Sequence, residues 1–499
     1  MEQISEREAR FEVWRRRAGF VLAPALFLFV LLLPLPALKP EAHRLAAVMA
    51  AVVVLWITES LPLPVTALVG ACACVVLGVA PAKDVFAPFA DPLMFLFIGS
   101  FMLARAIFLH RLDRRLAFGV LALPWVGARP GRILFAFGAV TAFISAWISN
   151  TATTAMMFAI GLGILSFLFR NEQEGGSVIN RRYATGLMLM TSFAASIGGL
   201  ATPIGTPPNV IGLGFIRQLT GFEFSFFKWM IIGVPVVVCL FLFLAFYLNR
   251  FCRAGVREIE GSREMLQRER AQLGAWTRGQ KSTLAAFAVT VTLWVVPGFV
   301  AIAAGERSLA YLAINRSVPE AVAAVVGAAL LFLLPGDNAG ERAITWEEAV
   351  KIDWGVVLLY GGGFALGVLS FQTGLAEAIG RGMTGLLPVN GGLGLLFASV
   401  LTATIVSEAT SNTASANMVV PVVIAIAKAQ GVDPLEPALG ATMGASLGFM
   451  LPVSTPCNAI VYGSGYVPIS RMIRYGILLD VVGVFVIVLL VRLLVPILR

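Results

Sequence analysis

The chain has 499 residues, 58% of them apolar and 13% charged, with a mean hydropathy of +0.87. A soluble domain carries about 25% charged residues, so this composition excludes an ordinary soluble fold and gives an all-α, polytopic membrane protein. The formal net charge is +9, but the basic residues sit in short loops between apolar stretches, a pattern of membrane orientation and not of nucleic-acid binding.

The N-terminus begins with a charged amphipathic lead-in, Glu6 to Arg17, without the features of a cleavable signal peptide. Spanning helices are predicted near 18–37, 45–60, 62–80 and 92–109. The next apolar stretch, near 133–168, is too long for one span and carries Ser149-Asn150-Thr151 in its middle. An apolar run of about 35 residues with a polar turn at its centre fits two half-length helices that enter and leave on one side. Spans near 183–200 and 228–249 follow. Residues 251–280 are the one long polar stretch, and their Arg/Glu mixture reads as a cytoplasmic, partly helical connector. Further spans are expected near 282–303, 317–335 and 354–371. A second overlong stretch, near 392–427, carries Ser411-Asn412-Thr413, and spans near 436–451 and 473–497 complete the chain.

The expected blocks are therefore N-terminal scaffold helices (1–110), a first hairpin, broken helix and span (131–250), the connector (251–280), second scaffold helices (281–372), and a second hairpin, broken helix and last span (392–499). Placing the N-terminus inside puts Arg105, Arg111, Arg114, Arg115, Arg181, Arg182, the basic run from Arg250 to Lys281, Arg471 and Arg474 on the cytoplasmic side. Eleven spans and two re-entrant hairpins satisfy that count and leave the C-terminus outside. One hairpin then opens from each side of the membrane, which makes the two halves an inverted-topology repeat.

The polar phrases within the apolar stretches carry the chemistry. Each Ser-Asn-Thr triplet is followed by a second phrase, Thr206-Pro207-Pro208-Asn209 in the first half and Thr455-Pro456-Cys457-Asn458 in the second. Between Gly198 and Asn209, three prolines and three glycines interrupt a helix, and Pro452 to Asn458 does the same later. Proline removes a donor and frees carbonyls, and unwound backbone at membrane depth is tolerated only where it is buried in protein or lines a cavity. Helix N-termini that end at mid-membrane favour an anion, and exposed carbonyls favour a small cation. Asn150 and Asn412 add amides, and Thr151 and Thr413 add hydroxyls. Capping alone explains one triplet; two at equivalent places indicate a bound anion and hard cation side by side. Neither motif pair contains arginine or lysine. A dianion would then be held by neutral donors, helix termini and neighbouring cations, which makes its affinity depend on the cation.

These residues resemble the divalent anion/sodium symporter family, the transporters of dicarboxylates, citrate and sulfate. The resemblance rests on the two triplets, the two broken helices from Ala194 and from Phe449 onward, and the span count. It implies one sodium site from Ser145, Ser149 and Asn150 closed by Gly205, and a second from Ser407, Thr410 and Asn412 closed by Ser454. It also implies a substrate site between Asn150, Thr151, Asn412 and Thr413, lined by Thr206, Thr455 and Pro456. Scaffold and transport units, an elevator-type motion and a homodimer joined through the scaffold are further implications. The family also contains sodium-independent exchangers, and the triplets do not separate dicarboxylates from citrate or sulfate.

Other signals carry less. The five cysteines, Cys72, Cys74, Cys239, Cys252 and Cys457, lack metal spacing and form no disulfide framework, and Cys72 and Cys74 point to different helix faces. Gly444-Ala-Ser446-Leu-Gly448 matches a hydrolase nucleophile pattern, but the only histidines, His43 and His110, fall near opposite membrane faces. An enzyme is therefore not expected. Glu408 is either a proton relay or a brace for the second hairpin tip. Glu59 and Asp91 read as interfacial or capping residues, and Gly361-Gly362-Gly363 as close helix packing. The expected function is secondary active transport of di- or tricarboxylate anions coupled to sodium in a bacterial inner membrane. A sodium-independent exchanger, an anion channel and a membrane hydrolase are the alternatives.

Overall fold

The computed structural model describes residues 6–174, 178–384 and 391–498. Parts of the expected blocks 1–110, 131–250 and 392–499 (residues 1–5, 175–177 and 499) lie outside them. Among the described residues the chain is helical, with a lone β-bridge between Pro335 and Arg342.

The two halves run in parallel order. In the first, Leu63–Val76 and Pro92–Leu109 lead through the short Leu112–Leu121 to a helical hairpin of Pro130–Ser145 and Asn150–Gln173. An interrupted helix follows, Arg181–Gly198 then Pro207–Thr220, and Phe226–Phe251 ends the half. In the second, Arg278–Ala304, the bent pair Leu309–Ser317 and Glu320–Leu333, and Trp354–Gln372 lead through the short Leu375–Thr384 to a hairpin of Gly391–Ala409 and Asn412–Ala429. The interrupted helix Leu435–Gly444 and Pro456–Tyr462 and the long Ile469–Leu494 close the chain. Glu6–Leu32 packs along Pro40–Thr58 ahead of the first half. The connector forms the helix Ser262–Gln272, which lies on Leu112–Leu121. Arg115 ties that contact by donating to the carbonyls of Leu273, Gly274 and Ala275.

Proline acts here by position. Pro24, Pro235, Pro297 and Pro421 lie inside continuous helices, whereas Pro207 and Pro456 open the second halves of the interrupted ones. At that first position the missing N–H costs nothing and the fixed φ favours a helix start. Among the described residues nine helices are long and apolar enough to cross a membrane, or ten if the bent pair counts as one span. Three of the nine, within 150–170, 391–409 and 412–429, are hairpin arms. The expected span 62–80 is the shorter Leu63–Val76, and 183–200 and 436–451 are first halves of interrupted helices. The expected eleven is therefore not reached by counting long helices.

The largest buried apolar cluster joins both hairpins, both interrupted helices and the two helices that end the halves, through residues such as Phe137, Phe193, Leu200, Leu396, Phe449 and Ile487, and reaches Pro92–Leu109 and Trp354–Gln372 through Phe97, Tyr360 and Phe364. A separate cluster of Leu45, Val52, Trp56, Ala67 and Leu366 joins Pro40–Thr58 and Leu63–Val76 to Trp354–Gln372. Within the large cluster the halves interlock. Pro207–Thr220 packs on Asn412–Ala429 of the other hairpin, and Pro456–Tyr462 packs on Asn150–Gln173 and Arg181–Gly198.

Candidate anion and cation site

Each hairpin turns through its triplet in the same way. Ser149 and Ser411 are N-caps, their Oγ atoms accepting from the N–H groups of Ala152 (3.3 Å) and Ala414 (3.2 Å). One residue further on, each asparagine turns back toward its own hairpin. Ser145 Oγ donates to Asn150 Oδ1 at 2.7 Å, and Ser407 Oγ donates to Asn412 Oδ1 at 2.8 Å.

The breaks are held by a pair of clamps. Asn209 Nδ2 donates to the carbonyls of Gly199 (2.9 Å) and Thr202 (2.8 Å), and Asn458 Nδ2 donates to those of Gly448 (2.9 Å) and Leu451 (2.9 Å). Aligning the two Thr-Pro-x-Asn phrases superposes these acceptors residue for residue. Each amide thus satisfies one carbonyl with no backbone donor among the described residues, Gly199 O or Gly448 O, and adds a second bond to one that already accepts a turn N–H, Thr202 O from Gly205 N or Leu451 O from Ser454 N. The phrases were legible in the sequence; the clamping role of their asparagines was not, because the acceptors lie outside them.

Both tips and both breaks face one cavity of about 710 Å³. All seven residues expected to bind substrate line it: Asn150, Thr151, Thr206, Asn412, Thr413, Thr455 and Pro456. Of the residues expected to bind cations, Ser149, Asn150, Gly205, Asn412 and Ser454 line it as well. Ser145, Ser407 and Thr410 lie buried behind the tips. The hydroxyl of Thr410 turns back into its helix to donate to Val406 O at 2.7 Å.

The Asn150 amide decides what the first tip holds. With nitrogen inward it donates to Gly205 O (3.2 Å) and Ala195 O (3.1 Å) beside Ser145 Oγ (2.7 Å). With oxygen inward, those same three oxygens and Oδ1 form a neutral cage, which suits a hard, weakly charged cation. The second tip brings together Asn412 Oδ1, Ser407 Oγ and Ala445 O, the last accepting from Ser407 Oγ at 2.8 Å. Among the described residues no three His, Cys, Asp or Glu side chains converge as metal ligands. A cation at either tip would therefore be held by hydroxyl, amide and carbonyl oxygens, a set that fits sodium.

Two features depart from a wholly neutral site. Behind the second tip, Glu408 accepts from Met450 N at 2.8 Å and from Ser454 Oγ at 2.5 Å, and its backbone carbonyl accepts from the same hydroxyl at 3.0 Å. Those bonds brace the tip against the break. Asp480 is buried beside Glu408 and the Phe449 backbone. The second feature is the cavity's far wall, formed by Leu63–Val76, Pro92–Leu109 and Trp354–Gln372 and their flanks. It contributes Arg105, Lys351 and Asp353. Arg105 Nη2 and Lys351 Nζ each lie 2.5 Å from a different oxygen of Glu348. The motifs themselves lack basic residues, but the cavity they face does not. No local pattern announces this, because residues 105 and 351 meet only through the tertiary fold.

The remaining signals resolve into structure. Asp91 caps Pro92–Leu109 through Leu93 N (2.9 Å), accepts from Tyr360 Oη (3.2 Å) and pairs with Arg217. Glu59 pairs with Arg15 at 2.9 Å. Gly361, Gly362 and Gly363 admit Phe89, Ala67 and Asn417 against their helix. His43 and His110 bond the carbonyls of Val30 (2.6 Å) and Ala343 (2.7 Å), and Ser446 is fully buried.

Comparison with known proteins agrees over nearly the whole chain. Residues 15–498 match the model of the sodium:sulfate symporter transmembrane region. The chain is 34% identical over 487 residues to the sodium-dependent dicarboxylate transporter SdcS of Staphylococcus saprophyticus, covering 96% of this chain and 91% of that protein. It is 32% identical over 484 residues to SdcS of Staphylococcus aureus strain USA300, with the same coverage. Among solved structures it resembles the Alcanivorax borkumensis YdaH transporter (TM-score 0.56, 15% identity, 98% of each chain). It also resembles Neisseria gonorrhoeae MtrF (TM-score 0.55, 13% identity, 85% of each chain). At those identities the two structures speak to the fold alone.

Proposed function

Since the chain belongs to the sodium:sulfate symporter family and is an integral membrane protein, we propose that it is a secondary active transporter coupling sodium to the movement of a dicarboxylate. The observation that carries this reading is the convergence of two inverted, asparagine-centred tips and two clamped helix breaks on one cavity. The relatives named as sodium-dependent dicarboxylate transporters supply the coupling ion and the substrate class.

In this reading sodium enters first. The Asn150 and Asn412 amides turn their oxygens to the cations and leave their nitrogens toward the cavity. The hydroxyls of Thr151 and Thr413 and the helix N-termini at Thr206 and Thr455 then meet the carboxylates. With the ions absent, the Asn150 amide points its donors at its own cage and the site loses both positive charge and donors. Ion and anion binding are thereby linked, and each strengthens the other by the same factor.

Arg105 and Lys351 line the cavity and share Glu348. The charge distribution assigns their face to the cytoplasm, so the cavity opens inward. The N-terminus is then cytoplasmic and the C-terminus periplasmic, in a bacterial inner membrane. The hairpins, interrupted helices and closing helices pack together as one core, and the wall helices lie against it through Phe97, Tyr360 and Phe364. Movement of that core as a body against the wall, in a homodimer held by the wall helices, would carry the site across. No step requires bond chemistry, so the protein is read as a transporter and not an enzyme.

The test is radiolabelled succinate uptake into proteoliposomes, with an inward sodium gradient compared with potassium or choline at equal ionic strength. Uptake should require sodium and fall at least about 100-fold in the Asn150→Ala, Asn412→Ala double variant, which removes two charge-assisted contacts. Uptake indifferent to sodium but dependent on internal succinate would make the protein an exchanger.

A further inference from the structure

A second polar cavity lies away from the transport site, where Arg181–Gly198, Phe226–Phe251 and Ile469–Leu494 meet. Its volume is about 280 Å³, and it is lined by Arg182, Tyr247, Phe251, Arg471, Arg474, Tyr475 and Leu478. Arg471 and Arg474 are three apart near the start of one helix and so share a face. The described residues lining the cavity include three guanidinium groups and no carboxylate.

The partners of these groups separate the structural arginines from the available ones. Arg471 donates to Thr185 Oγ1 at 2.9 Å, and Thr185 in turn donates to Tyr466 O at 2.8 Å. Nearby, Arg181 lies over the Phe169 ring at 4.0 Å. Neither Arg182 nor Arg474 has an acceptor for its guanidinium among the described residues. Two unmatched, adjacent cations repel each other, and an anion with several oxygens is the group that relieves this and fills their donors.

What surrounds the cavity identifies the anion. Two exposed apolar stripes begin there and run along the membrane-spanning helices. Ile477, Val481, Phe485 and Leu489 repeat every four residues on Ile469–Leu494. Phe246, Leu242, Val238 and Val234 do the same on Phe226–Phe251, which ends at the cavity where the other helix begins. Twelve residues of helix rise ~18 Å, close to the ~15 Å half-thickness of a bilayer core. A free phosphate would use the arginines alone; a phospholipid would use the arginines and both stripes.

We propose that this cavity is a binding site for an anionic phospholipid, its phosphate held by Arg182 and Arg474 with Arg471 behind, and its acyl chains on the two stripes. The helices that end the two halves would thereby be joined through one lipid at the membrane face to which the charge distribution assigns the cytoplasm. The site is independent of the transport chemistry.

The test uses the full-length purified protein and native mass spectrometry with phosphatidylglycerol, phosphatidylcholine and inorganic phosphate as probes. Phosphatidylglycerol should be retained in preference to phosphatidylcholine and should not be displaced by millimolar phosphate. Arg182→Gln with Arg474→Gln leaves the structural Arg471 in place and should weaken retention roughly 30-fold, the effect of two basic groups at a charged membrane surface. Arg263→Gln with Arg268→Gln, an equal charge loss on the connector, should leave it unchanged. Equal retention of the two lipids, or of phosphatidylglycerol by the first variant and the wild type, overturns the proposal. Displacement by phosphate overturns it in favour of a soluble anion. Should that variant fail to fold, melting of the wild type decides: phosphatidylglycerol must raise the melting temperature above that in phosphatidylcholine.

Discussion

In the first half, the tip of the hairpin is tied to the helix break by Thr202, whose hydroxyl donates to the carbonyl of Ala146. In the second half, the equivalent carbonyl belongs to Glu408 and is taken by Ser454, the counterpart of Gly205. The Glu408 side chain then makes two further bonds to the same break. Gly233 and Gly476 each press against a carbonyl of their break, Leu200 O and Phe449 O. Aligned on these glycines, Val237 stands opposite Asp480. The halves therefore share their amides, caps and clamps and differ in two buried carboxyl groups, both on the second side. What is shared is the apparatus that holds neutral oxygens at mid-membrane. What differs gives the two tips unequal electrostatics, so two ions bound there need not bind alike.

The clamps test the shared part. Asn209→Ala and Asn458→Ala should each strand one buried carbonyl, Gly199 O or Gly448 O, and destabilise the protein by about 1–3 kcal/mol, read as loss of thermal stability in detergent. Asn458→Ala should cost the more, because Asn458 Oδ1 also accepts from Ser192 Oγ at 2.6 Å while Asn209 Oδ1 has no partner. Equal losses would mean that this added bond across the halves contributes nothing.

The glycines beside the asparagines test where the symmetry fails. A methyl group at Gly199 would collide with the Asn150 amide, whereas one at Gly448 would meet Asn412 Oδ1 at 3.2 Å, a contact that small shifts accommodate. Gly199→Ala should cut sodium-driven uptake by about tenfold or more, the effect of roughly 1–3 kcal/mol of overpacking at a binding group. Gly448→Ala should change it about twofold. A reversed order would show that the second tip is the tighter one.

A smaller effect is expected from Glu408→Gln, which keeps an acceptor for Met450 N but removes the charge. The half-saturating sodium concentration should rise by up to about tenfold, as expected when charge-assisted bonds become neutral ones. The anion affinity at saturating sodium should hardly move. An unchanged sodium dependence would leave Glu408 as a brace alone.

The hairpins and the breaks are legible in the sequence because both are polar interruptions in apolar runs, a contrast visible within a dozen residues. What depends on distance in the chain is not. Arg105 and Lys351 are brought into one cavity by a fold that local hydropathy does not encode. Asp480 sits in the apolar middle of its helix, with no pattern that links it to Glu408. The count of spans is not fixed by hydropathy for a related reason: half-helices and hairpin arms match full spans in apolarity and differ in where they stop, which tertiary packing decides.

The crossing of Pro207–Thr220 onto the second hairpin, and of Pro456–Tyr462 onto the first, bears on how such a chain arises. A half-length protein with this pattern would have no completed wall for its own hairpin. Two copies inserted the same way up would present the second half-helix to the wrong face. Each half therefore completes the other's site: neither hairpin keeps its packing partner from the opposite break unless both halves stand in one molecule.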